Sequence, residues 1–138
     1  MTYLVDTNIF SELRKRSPEA TAWIRSVDPA SIHLSVVTVG ELAKGAALKA
    51  RRDPAGGAAL SRWLDTLRHQ HAGRILPIDE KIALAWALIA AERPRGMADE
   101  LIAATARVHG MTVVTRNGAD FADAGVPVLN PWDLFPAG

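Results

Sequence analysis

The stretch that most constrains the fold is Thr2-Tyr3-Leu4-Val5-Asp6-Thr7-Asn8-Ile9-Phe10. Tyr3-Leu4-Val5 is a short, uncharged, β-prone run, which suits a strand buried on both faces. It stops at three polar residues, Asp6-Thr7-Asn8, with Asn8 placed to cap a helix. Ile9, Phe10 and Leu13 then recur at helical spacing. A buried strand that hands a carboxylate to the start of a helix marks the functional edge of an open α/β sheet. Asp6 therefore has two readings, helix cap or site residue, and the rest of the chain bears on the choice.

The same alternation repeats downstream. Ser17-Pro18 starts a helix carrying Ala20, Trp23, Ile24 and Val27, and Asp28-Pro29 closes it. Ile32 to Val37 reads as a second strand. Thr38-Val39-Gly40-Glu41 has the form of a capping box, with Leu42, Ala43, Ala46 and Ala47 on the apolar face behind it. Ala50 to Gly57 reads as a loop. Leu60, Trp63, Leu64 and Leu67 then form an amphipathic stripe. Ile75 to Ile78 is a third strand, with Pro77 placing it at an end or an edge, and Asp79 caps a helix bearing Ile82, Ala85, Trp86, Ile89 and Ala90. After the break at Arg93-Pro94-Arg95-Gly96, the residues Met97, Leu101, Ala104 and Val108 fit one helical face that ends at His109-Gly110. Ala103, Ala104 and Ala106 leave little bulk, so this helix can lie close on a sheet. Thr112 to Thr115 is a fourth strand, Arg116 to Phe121 a turn into a short helix, and Val126 to Leu129 a fifth strand. Strands alternating with helices predict an α/β fold: a three-layer α/β/α sandwich around a parallel sheet of four to five strands, as one domain over residues 1–138.

Bulk properties narrow the class. The chain has 138 residues, 49% of them hydrophobic, enough for a core and too many for disorder. It has no cysteine, which fits a reducing cytosol. No apolar run approaches the roughly 20 residues that span a membrane, and no basic region precedes a signal-like core. A cytoplasmic protein with no membrane contact is expected. Net charge is +1, so any nucleic-acid surface has to come from local clustering.

The acids fall on one edge of the predicted sheet. Asp6 follows strand one, Glu41 lies in the first turn of the helix after strand two, and Asp120 follows strand four. These should meet where strands end and helices begin. Asp99 joins them if its helix, after the Pro/Gly break, starts on that edge. Carboxylates gathered in one crevice repel unless protons or cations neutralise them. Oxygen ligands, with no cysteine and no histidine pair at ligand spacing, point to Mg²⁺ or Mn²⁺. Such an ion activates water and stabilises charge on phosphoryl oxygens, which is the chemistry of phosphodiester hydrolysis. Each acid also has a plain structural reading: Glu41 as capping-box partner, Asp99 as a complement to the helix dipole, Asp120 as a turn residue. Glu12 reads as a solvated helix acid.

Leu4-Val5-Asp6-Thr7-Asn8, Glu41-Leu42, Ala98-Asp99-Glu100-Leu101-Ile102-Ala103-Ala104-Thr105-Ala106 and Val114-Thr115-Arg116-Asn117-Gly118-Ala119-Asp120-Phe121 together resemble the PIN domain, and within it the VapC-type toxins of type II toxin–antitoxin pairs. The closing Val128-Leu129-Asn130-Pro131-Trp132 is similar too. The resemblance implies a Mg²⁺- or Mn²⁺-dependent ribonuclease acting on RNA, tRNA included, that forms a homodimer and is inhibited by a cognate antitoxin protein. It matches Asp6, Glu41 and Asp99 to the core acidic positions. In many relatives an acid stands where this chain has Asn117, and Asp120 matches another acid of that motif. Asp120 could thus bind metal or orient water, and Asn117 could offer a neutral oxygen. Thr7, Asn8 and Thr115 are candidates to orient the acids.

Arg116 is a candidate contact for a substrate phosphate, or a partner for Asp120. Lys44, Lys49, Arg51, Arg52, Arg62, Arg68 and Arg74 make the middle third basic, either as an RNA-facing surface or as solvated helix faces interspersed with Asp53 and Asp65. Trp23, Trp63 and Trp86 read as core or interface. Two rival functions remain: a binding module that keeps the acids without turnover, and a phosphatase with Asp6 as nucleophile. The second commonly wants an acid where this chain has Asn8.

Overall fold

The computed structural model describes residues 1–135. Five short strands form one parallel sheet: β1 (Tyr3–Val5), β2 (Ile32–Ser35), β3 (Ile75–Leu76), β4 (Thr112–Val114) and β5 (Val128–Leu129), in the order β3-β2-β1-β4-β5. β1 is central, with Leu4 in register with His33 of β2 and Val113 of β4. Alternate residues of each strand face opposite layers. Leu4, Val113 and Val128 pack with Ile82, Ile89 and Ile102 from α5 (Glu80–Glu92) and α6 (Met97–His109). Val5, Val114 and Leu34 pack with Ile9, Phe10, Trp23, Leu64 and Leu67 from α1 (Thr7–Arg14), α2 (Pro18–Ser26) and α4 (Pro54–Gln70). α3 (Val36–Ala50) reaches both layers, Val37 joining one and Leu42 the other. Two short helices, α7 (Gly118–Phe121) and α8 (Pro131–Leu134), follow β4 and β5. This is the expected α/β/α sandwich.

The connections from β1 run one way to β2 and β3, whereas β4 and β5 lie on its other side. The order reverses at β1, so a crevice opens outside the C-terminal ends of β1 and β4. Asp6 and Thr115 are the residues immediately after those two strands.

Several boundaries differ from the sequence reading, each for a local reason. Asn8 does not cap α1; the Asp6 carboxylate does, accepting the Thr7 N–H at 2.7 Å. β2 stops at Ser35, whose hydroxyl caps α3 by accepting the Val37 N–H at 3.0 Å. That earlier hydroxyl displaces the expected capping box, so Thr38 and Glu41 both lie inside α3, Glu41 in its second turn. The predicted loop from Ala50 to Gly57 shrinks to Arg51–Asp53, because Asp53 accepts the Gly56 N–H at 3.0 Å and Pro54 opens α4. In α6 the buried run is Ile102–Ala106, while Met97 and Val108, expected on the inner face, are exposed. Sheet and α5 together enclose the middle of α6 on more than one side, which a single-stripe reading misses. Other expectations hold. β3 is an edge strand, Asp79 caps α5 through the Ile82 N–H at 2.9 Å, and Gly110 ends α6 with φ +66°.

Glycines in α3 and α4 differ in what a methyl group would meet. At Gly57 a Cβ would lie 2.5 Å from both Cα and Cβ of Ala50, whereas at Gly40 it meets nothing within 4 Å. Alanine normally favours a helix over glycine by about 0.5–1 kcal/mol. Gly40→Ala should gain about that much, and Gly57→Ala should instead lose about 1–3 kcal/mol by wedging α3 from α4. Chemical denaturation of the two variants checks the opposite signs.

Candidate functional site

Asp6 sits at the head of the crevice, 4% exposed. Its Oδ1 accepts the Thr7 N–H, and its Oδ2 accepts the Thr115 hydroxyl at 2.8 Å and the Asn8 amide at 3.2 Å. Thr115, fully buried, also accepts from Asn8 Nδ2 at 3.2 Å and from the Asn117 N–H at 3.0 Å. The Asn8 carbonyl accepts the Arg116 N–H at 3.2 Å. Asp6, the β4 exit and the start of α1 are thus one hydrogen-bonded unit. Asn8, read as a cap, serves as its bracket.

Glu41 reaches the same cleft from α3. Thr7 Oγ1 donates to Glu41 Oε1 at 2.7 Å and stands 3.2 Å from the hydroxyl of buried Thr38. Asp99 arrives in the first turn of α6. Together Asp6, Thr7, Asn8, Ser11, Glu12, Lys15, Glu41, Asp99 and Asn117 line an open cleft of about 400 Å³. Asp120, on α7, stands at its margin, exposed but near enough that its charge is felt by both Asp6 and Asp99.

The electrostatics come from crowding. Burial pushes the Asp6 carboxyl above its ordinary range; the Thr115 and Thr7 hydrogen bonds oppose that, and Glu41 and Asp120 add to it. Asp99 is pushed up to about 6, by burial first and then by Asp6, Asp120, Glu41 and Glu100. The donors are all oxygen, which suits a hard cation. As placed, no three acidic or histidine side chains among the described residues can surround one ion. Mg²⁺ characteristically takes one or two protein carboxylates and fills its remaining positions with water. The residues fit that mode of binding and do not fit a closed cage.

Arg116 does not pair with Asp120. Its guanidinium meets Glu12 Oε1 at 3.4 Å and lies over the Trp132 ring, 4.4 Å from the centroid. Glu12, read as solvated, is half-buried in the cleft wall. Asn8 and Glu12 on α1 and Lys15 just past its end recur at i, i+4, i+7, a polar stripe that was visible in the sequence. Thr38 carried no such signal, because its role depends on α3 starting at Val36. Of the basic residues in the middle third, Arg74 is structural, donating to the Ile32 and Gln70 carbonyls at 3.0 Å each. Lys49 and Arg52 instead rim a second groove of about 320 Å³ that adjoins the acidic cleft. It is floored by Leu42, Ala46, Leu60 and Trp63 and flanked by Arg14 and Lys15.

A sheet whose strand order reverses over a cleft lined by carboxylates is an open α/β arrangement with its crevice at the strand ends, the usual ligand position of that class. A family model of the PIN domain matches residues 3–127, and the chain belongs to that family. It is 37% identical over 136 residues to Toxin FitB of Neisseria gonorrhoeae, covering 94% of this chain and 97% of that one. It is 36% identical over 140 residues to VapC ribonuclease Y4jK of Sinorhizobium fredii, with 94% and 97% covered. The crystal structure of FitAcB from Neisseria gonorrhoeae aligns with a TM-score of 0.87 at 36% identity, covering 95% of this chain and 99% of that one. No helix among the described residues is long and apolar enough to cross a membrane.

The raised Asp99 and Asp6 have a consequence for stability. Between the ordinary carboxylate range and about pH 6, folded Asp99 keeps a proton that the unfolded chain has released. Stability of the metal-free protein should therefore fall as pH rises through that window. Thermal unfolding in EDTA should show a lower Tm at about pH 6.5 than at about pH 4.5, with a smaller drop in Asp99→Asn. A Tm that climbs over that interval would contradict the assignment.

Proposed function

We propose that this chain is the toxin of a toxin–antitoxin pair and hydrolyses RNA phosphodiester bonds, with Asp6, Asp99, Glu41 and Asp120 as its functional acids and Mg²⁺ or Mn²⁺ as cofactor. The observation that carries the reading is the convergence of acids from β1, α3, α6 and α7 around one buried carboxylate at the reversal point of the sheet. Relatives matched over nearly their whole length are named as a VapC ribonuclease and as a toxin.

When bound, the divalent ion supplies water activation and stabilises charge on the phosphoryl oxygens. The chain's own residues prepare for it. Three donors fix the Asp6 carboxylate before any ligand arrives, so little reorganisation is left to the reaction. Asp6 and Asp99 are the two most desolvated acids of the cleft and the primary holders of the ion. Thr7 holds Glu41, and Asn117 presents a neutral oxygen beside Asp120. Arg116, already parked on Trp132 and Glu12, positions a phosphate without competing for the acids.

The apolar groove beside the cleft suits the antitoxin. Its floor takes an amphipathic segment, and its cationic rim takes acidic residues on that segment. The crystal structures of FitAcB and of FitAB bound to an IR36 DNA fragment are similar over 95% of this chain. The expected homodimer has an apolar surface available on α5, where Leu84 and Leu88 are each 64% exposed. A second reading, a binding module without turnover, draws on the lack of a ready-made three-acid ligand set among the described residues.

Two experiments test these readings. Purified protein with Mn²⁺ or Mg²⁺ should cleave RNA, tRNA included. EDTA should abolish cleavage, and so should Asp6→Asn, which keeps a good helix cap and hence the fold. A folded wild type that leaves RNA intact while binding its partner tightly establishes the binding-module reading instead. Separately, Leu60→Glu in the groove should release the product of the neighbouring reading frame in co-purification.

A further inference from the structure

Outside the cleft, the most heavily engaged polar group is Asp123, in the turn after α7. Arg93 grips it as a fork, Nε to Oδ2 at 2.7 Å and Nη2 to Oδ1 at 2.9 Å, and also donates to the Ala119 carbonyl of α7 at 3.4 Å. Arg95 Nη2 donates to the same Oδ1 at 3.1 Å. Both arginines belong to the four-residue link between α5 and α6. The Arg95 side chain is 1% exposed. Its Nη1 donates to the Ile89 carbonyl at 2.8 Å, Nη2 lies 3.6 Å from Glu92 Oε2, and Nε meets no partner among the described residues. The Arg95 N–H donates to Glu100 Oε2, and Glu100, itself buried, accepts the Trp86 indole, both at 3.3 Å.

A buried guanidinium is costly unless paired, and bidentate charge-assisted bonds are among the strongest and most directional. What this network joins is specific. The link it seizes leads directly into the first turn of α6, which carries Asp99. The turn it seizes comes directly after α7, which carries Asp120. Asp99 and Asp120 repel each other, and the clamp adds a directional polar tie between their segments beside the apolar packing of Phe121 and Ala124 against α6.

We propose that Asp123, clamped between Arg93 and Arg95, is a positioning residue that sets the separation of Asp99 from Asp120 and thereby the affinity of the cleft for its divalent ion. Asp123 touches neither acid and acts only through the two segments it ties. The proposal rests on the reading of the cleft as a metal site.

Mn²⁺ binding to the full-length chain, measured by calorimetry alongside circular dichroism, tests it. Asp123→Ala should bind Mn²⁺ about tenfold more weakly, the low end of what loss of outer support costs a metal site. Arg93→Gln, which breaks the fork but leaves the Arg95–Asp123 bond, should show a smaller loss in the same direction and stay folded if Asp123→Ala does not. Leu67→Ala, a core truncation in α4, should lower Tm yet bind Mn²⁺ as the wild type does. Wild-type affinity in both folded clamp variants overturns the proposal, and so does an equal loss in Leu67→Ala, which would mean that any destabilisation loosens the site. A wild type that binds no Mn²⁺ removes the metal-site reading itself, and the clamp's role falls with it.

Discussion

The structure depends on one desolvated carboxylate held at the centre of a parallel sheet. Asp6 is buried where burial is unfavourable for its charge, and the fold compensates with donors from the end of the neighbouring strand β4 and from the first turn of α1. The Thr7 amide, the Thr115 hydroxyl and the Asn8 side chain leave Asp6 fixed in place yet still electrostatically unsatisfied. That combination goes beyond what a helix cap alone requires. A capping acid gains from its helix and ends near its ordinary pKa range or below it. Asp6 performs the capping geometry and still stays above that range, because burial outweighs the bonds.

The other acids extend the same imbalance. Glu41, Asp99 and Asp120 come from three different helices, and Glu41 and Asp120 each favour the protonated form of both Asp6 and Asp99. The chain offsets this with hydroxyls and amides inside the cleft and keeps its arginines outside. Arg116 is drawn off by Glu12 and Trp132, and Arg93 and Arg95 by Asp123. Any of these arginines placed among the acids would neutralise them.

How much of this was legible in the residues depends on range. Asp6 and the α/β alternation could be read, because a buried strand, a polar break and a helical period are all local. Strand positions, the edge placement of β3 and the Asp79 cap could be read for the same reason. The start of α3 could not: Ser35 and Thr38 are both competent caps, and the choice is made by where β2 must end against β3 and β1. That single shift turned Glu41 from a backbone partner into a side chain held by Thr7. The inner face of α6 was misjudged because a helix enclosed by sheet and helix together buries more than one stripe. The partners of Arg116 lie 104 residues away at Glu12 and 16 away at Trp132, and no periodicity reports such contacts.

The distribution of charge around the cleft completes the physical case for a polyanionic substrate. A pocket of four acids would by itself repel RNA, and the net charge of +1 offers no general attraction. The cations are instead arranged around the pocket: Lys15 on its wall, Arg116 beside it, and Arg14, Lys49 and Arg52 along the adjoining groove. On the proposed reading, a phosphate backbone would be drawn along this rim, with Lys15 the cation that lines the acidic cleft itself. Attraction of that kind is screened by salt, whereas the buried interactions that hold Asp6 are not. Substrate capture should therefore weaken steeply with ionic strength while the architecture of the cleft stays unchanged, which separates the two layers of electrostatics that this chain keeps apart in space.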